Sequence, residues 1–86
     1  MSLELLIRHL HSLSSELEKS GKKDAAKFFS ERRDVIANSE VHSRKVRTTL
    51  KELKTCRAMA QYGDFSFTEE EILDKVVDEA IELYSS

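Results

Sequence analysis

Two histidines near the start of the chain, His9 and His11, are the first residues whose type invites chemistry, because imidazole is a common metal ligand. Their spacing argues against it. On a helix, residues two apart diverge by about 200° and cannot grip one ion. The positions four residues on are Leu13 and Ser15, and no Glu-x-x-His or His-Glu-x-x-His run occurs. Both histidines are expected at a surface or rim. His42 is expected to pack on the core side of its helix.

The other reactive side chains are equally sparse in pattern. Cys56 is the only cysteine, which excludes an intrachain disulfide and a cysteine-based zinc site. It stands at helical spacing from Leu53, as a small buried hydrophobe would. Gly21 and Gly63 stand alone, so there is no phosphate-cradling loop, and no nucleophile elbow is present. Glu71, Asp74, Asp78, Glu79 and Glu82 read as one solvated stripe. General acid–base work needs carboxylates in distinct, partly desolvated environments. The expectation is therefore a protein with no catalytic residues, no metal site and no cofactor, not an enzyme.

Charge is the strongest signal. Between Ser39 and Gln61, six cations (Arg44, Lys45, Arg47, Lys51, Lys54, Arg57) meet two acids (Glu40, Glu52), for a net +4. Between Asp64 and Ser86, eight acids meet Lys75 alone, for a net −7. Such a split can hold neighbouring helices together or present different faces to partners.

These residues need a scaffold. The chain has 86 residues, no proline and two glycines. That profile predicts one helical domain over residues 1–86, an all-α, small antiparallel bundle of four helices, or of three long ones. The first helix spans about Leu3 to Ser20, with Ser2 as N-cap. Its seam of Leu3, Leu6, Leu10, Leu13 and Leu17 is widened by Ile7, and Gly21 takes the C′ position. The second covers about Lys22 to Ala37, with Ala25, Phe28, Phe29, Val35 and Ile36 inward. Asn38-Ser39 is the expected break before the third, although nothing there forbids one helix through to Gln61.

The third helix, about Glu40 to Gln61, buries Val46, Leu50, Leu53, Cys56 and Ala60 and ends at Gly63. The fourth opens with Thr68 as N-cap and Glu71 at N3, stapled by Phe67 and Ile72. It buries Ile72, Leu73, Val76, Val77, Ala80, Ile81, Leu83 and Tyr84, an arc wider than one packing partner needs. The connection Tyr62-Gly63-Asp64-Phe65-Ser66-Phe67 is expected to plug the end of the bundle. Arg32 and Arg57 lie within apolar stripes, and one or both are expected to pair with a carboxylate of the acidic helix, with Glu79 and Glu82 as the candidates.

The function this supports is non-catalytic binding of another protein, of a regulatory, adaptor or inhibitor type. The partner-binding candidates are Asp74, Asp78 and Glu82, suited to a basic partner, with Val77, Ile81 and Tyr84 suited to a homodimer. The alternative is a nucleic-acid-binding module using Arg44, Arg47, Lys51 and Lys54. Against it, no aromatic residue interleaves with these cations along the sequence, and an acidic segment follows. The N-terminus has no basic run ahead of an apolar block, and charges interrupt every apolar stretch. No membrane span and a cytoplasmic location are expected.

Overall fold

The computed structural model describes residues 3–40 and 43–85, so the expectations for Ser2 and His42 lie outside the described residues. Described are α1 (Leu3–Lys19), α2 (Lys23–Asn38), α3 (Arg44–Lys54), a 3-10 turn (Cys56–Ala58), α4 (Met59–Tyr62) and α5 (Phe67–Ser85). The fold is an all-α bundle. α1 packs on α2 and α5, α5 packs on α3, and α2 touches α3 more lightly.

The leucine seam of α1 works as its spacing requires. Leu6, Leu10, Leu13 and Leu17 are all fully buried, while Leu3 and Ile7 border the core. α1 then stops in a Schellman motif. Gly21 has φ +79°, its N–H donates to Glu18 O (3.1 Å), and the Lys22 N–H donates to Leu17 O (2.9 Å). Two orphan carbonyls are satisfied this way. The same turn fixes where Ser20 and Lys22 point.

α2 presents a face slightly rotated from the expected one. Ala26, Phe29 and Ile36 are buried, whereas Ala25, Phe28 and Val35 are half-buried. Phe29 is the largest fully buried side chain and meets Phe28 and Phe65 edge-on, at ring-centroid distances of 5.0 and 6.5 Å. The break after Asn38 is real: Ser39 is extended and α3 begins only after Ser43.

The long third helix is the first correction. It starts at Arg44, with Ser43 Oγ accepting from the Val46 N–H (3.3 Å), and it stops at Lys54. Thr55 and Cys56 end it. Thr55 Oγ1 donates to Lys51 O and Glu52 O at 3.2 Å, and Cys56 Sγ donates to Leu53 O at 3.0 Å. The backbone itself leaves helical geometry at Thr55, with φ −114° and ψ 11°. The chain continues as the 3-10 turn and the single turn of α4.

Gly63 is needed there for space rather than for its dihedrals. A Cβ at this position would stand 2.7 Å from the Phe65 ring and 2.8 Å from Met59 O. The positive φ of the connection falls on Asp64, at 54°.

The start of α5 is the second correction. Thr68 is not the cap. Ser66 is: its Oγ accepts from the Glu69 N–H (3.2 Å), while Glu69 Oε1 accepts from the Ser66 N–H (2.8 Å). The capping box is thus Ser66-x-x-Glu69, two residues early, and Phe67 becomes the first helical residue. Ser66→Ala should cost about 1 kcal/mol in urea unfolding, whereas Thr68→Ala should stay within about 0.5 kcal/mol of wild type.

Candidate functional site

α5 carries seven of the sixteen acidic residues, and its rotation sorts them. At about 100° per residue, Glu69, Leu73, Val76, Val77, Glu79 and Ala80 share the inward arc, and all six are buried. Phe67, Glu71, Asp74, Asp78 and Ile81 share the opposite stripe, and all are exposed. The expected solvated stripe therefore loses Glu79, which is buried, while Glu71, Asp74, Asp78 and Glu82 are exposed; Glu69, not part of that expectation, is buried too.

Glu69 is 1% exposed and lies where the α1–α2 turn meets the start of α5. Its carboxylate accepts from Lys22 Nζ (2.8 Å), Ser20 Oγ (2.7 Å) and the Ser66 N–H. Burial opposes its ionisation. The hydrogen bonds from Lys22, Ser20 and Ser66, with the Lys22 charge, outweigh burial and hold its pKa at about 2 against an ordinary 4.5. Because the folded value is the lower one, this contribution is fully present above about pH 4.5 and is lost as pH falls toward 2.

Glu79 is the second inward carboxylate. Its two oxygens lie 2.8 Å from His9 Nδ1, within hydrogen-bond distance. Glu79 is 3% exposed and His9 25%, so the pair crosses the α1–α5 contact largely out of water. His9 is thus a structural partner, not a free rim residue. His11 meets Arg33 instead, with Arg33 Nη1 2.8 Å from His11 Nδ1. Among the described residues no group of three His, Cys, Asp or Glu side chains is placed to hold a metal ion.

Of the two arginines read as stripe residues, Arg57 pairs with carboxylates of the acidic helix as expected, though with Asp74 and Asp78 rather than Glu79 or Glu82, and Arg32 pairs with Glu52 of α3. Arg57 donates to Asp78 (3.1 Å) and lies 3.3 Å from Asp74, all three side chains more than half exposed. Such surface pairs contribute about 0–1 kcal/mol. Arg32 lies over the Phe28 ring, 3.7 Å from its centroid, and its Nη2 reaches Glu52 at 3.4 Å. The reason is local: α3 ends early, so Arg57 sits on the 3-10 turn beside the outer edge of α5.

The three residues of the candidate dimer patch differ in exposure. Val77 is 2% exposed and belongs to the core. Tyr84 is half-buried and meets the cations of α3, with the Arg47 guanidinium 4.6 Å and Lys54 Nζ 4.3 Å from its ring centroid. Only Ile81, 44% exposed, is left open. Asp74, Asp78 and Glu82 are exposed, as are Arg44, Arg47 and Lys51, with Lys54 half-buried.

The aromatic connection plugs the bundle with one ring of three. Phe65 is buried against Phe29, while Tyr62 and Phe67 are 89% and 77% exposed. Beside them a shallow apolar groove of about 380 Å³ is lined by Ala25, Phe28, Met59, Tyr62, Gly63 and Phe65, with Asp24 at its margin. The Ser66 cap is the signal that would have placed Phe67 outside, since it makes that residue the outward member of the first turn.

Cys56 is buried, and burial raises its thiol pKa to about 11, so it is a neutral thiol at physiological pH. No helix among the described residues is long and apolar enough to cross a membrane. Compared with known proteins, the chain matches no family model, and no curated protein or solved structure matches it significantly.

The His9–Glu79 pair yields a test by double substitution. His9→Leu alone strands a buried carboxylate and should cost about 2–3 kcal/mol. His9→Leu with Glu79→Leu should recover most of that loss in urea unfolding. A double variant no more stable than the single one would contradict the pairing.

Proposed function

We propose that this chain is a non-enzymatic module that binds another protein through the outward stripe of α5. One observation carries the reading. Among the described residues, three large apolar side chains are exposed, and two of them, Phe67 and Ile81, lie on this stripe in line with Glu71, Asp74 and Asp78. They stand 14 residues apart, about 21 Å along the helix axis. Hydrophobic anchors separated by charge fit a partner that buries two apolar contacts and places cations between them.

The partner is a different protein rather than a second copy. A two-fold dimer through this stripe would set the same carboxylates against each other, and like charges directly opposed are unfavourable. With Val77 in the core, little apolar area is left to offset that.

Affinity capture from nuclease-treated lysate of the native host tests the proposal. Wild type should retain a protein partner, and Phe67→Ser/Ile81→Ser and Asp74→Lys/Asp78→Lys should each lose it while keeping a wild-type circular dichroism spectrum. Undiminished retention of the same partner by both variants, or loss of all partners on nuclease treatment, would refute it.

A further inference from the structure

The cations of α3 form a surface of a different kind. Lys22, Arg32, Arg33 and Arg57 each lie within ion-pair distance of a carboxylate. Among the described residues Arg44, Arg47, Lys51 and Lys54 have none. Arg44, Arg47, Thr48 and Lys51 instead line, with Tyr84 of α5, a shallow groove of about 480 Å³. The spacing of Arg44, Thr48 and Lys51 puts them on one ridge, with the outer two about 10.5 Å apart along the axis.

α3 also breaks a local electrostatic rule. The first turn of a helix is its positive end and favours acidic residues. In α3 the first turn has no acid and carries Arg44 and Lys45. A bound anion would relieve this crowding of like charge. Arg47 and Lys54 have a structural use against Tyr84, but Arg44 and Lys51 have no comparable contact among the described residues.

The geometry points to a binding site for the sugar–phosphate backbone of a single nucleic-acid strand in the groove formed by Arg44, Arg47, Thr48, Lys51 and Tyr84. Three features select this ligand. The cations repeat about once per helical turn along a line, which suits a chain of evenly spaced single charges. The rest of the lining is a hydroxyl and one aromatic ring, with no aliphatic pocket for the side-chain anchors of an acidic peptide. A concave basic track beside an aromatic ring is the arrangement that follows a strand independently of its sequence. Tyr84 supplies the aromatic element that the linear order of α3 lacks. The groove opens about 100° around α5 from the Phe67–Ile81 stripe, so the site is independent of the protein-binding face.

Fluorescence anisotropy with a dye-labelled oligothymidine, titrated with the whole protein, tests this. Three phosphate contacts on a single strand give a slope of log K against log salt of about −2.1, or about twentyfold weaker binding at 200 mM than at 50 mM salt. Arg44→Ala and Lys51→Ala should each weaken binding and flatten the slope by about 0.7. Lys23→Ala, at an exposed position on α2, should change neither. All these sites are on the surface, so circular dichroism should report unchanged folding. No binding at the lower salt, or equal binding by the Arg44→Ala/Lys51→Ala double variant, would overturn the site. Displacement of the strand by polyglutamate as effective as by unlabelled oligothymidine, at equal charge concentration, would overturn the ligand in favour of an acidic polypeptide.

Discussion

Glu69 sits at the one place where three separately built pieces of the chain must agree. Its own backbone opens α5, its carboxylate caps Ser66, and the same carboxylate receives Ser20 and Lys22 from the turn after α1. A buried carboxylate without partners would cost several kcal/mol, so the arrangement holds only if every donor arrives. That requirement couples the Schellman turn at Gly21 to the register of α5. The register of α5 in turn decides which of its carboxylates meet His9, which meet Arg57 and which meet water. A start two residues later, at the Thr68 box, would rotate the helix start by about 200°.

Much of the fold could be read from local pattern. The α1 seam, the Gly21 stop, the break after Asn38 and the burial of Cys56 follow from spacing and from single-residue conformational preference. The misreadings share one cause. Two overlapping boxes, Ser66-x-x-Glu69 and Thr68-x-x-Glu71, satisfy the same capping rule, and only the tertiary donors Ser20 and Lys22 choose between them. Likewise, α3 reads as a long helix until its backbone leaves helical geometry at Thr55. His9 and Glu79, 70 residues apart in the chain, are joined only by packing. The exposed face of α5 was legible in part. Asp74 and Asp78 are outward as spacing predicts, and Ile81, read as part of the apolar arc, is outward as well. Val77 and Tyr84 are not, because α5 is contacted by both α1 and α3 and its wide apolar arc is used up internally.

The charge split along the chain thus resolves into three uses. Inward acids, Glu69 and Glu79, are matched by Lys22 and His9 and position helices. At the edge, Arg57 bridges to Asp74 and Asp78 in water, where the gain is small. What is left is an acidic, hydrophobically ended stripe on α5 and a basic groove on α3 whose Arg44, Arg47 and Lys51 have no ion-pair partner among the described residues. Both remaining faces exist because the interior acids took their partners from α1 and its following turn rather than from α3.

The central claim is that Glu69 is ionised while buried, held by donors from two distant segments. A carbon-detected NMR titration of its side-chain carboxyl measures this most directly. The signal should show no midpoint as pH falls through 4.5, and should titrate only at about 2 or together with unfolding. A Glu69 midpoint at or above 4.5, with the remaining resonances still those of the folded chain, would contradict the account.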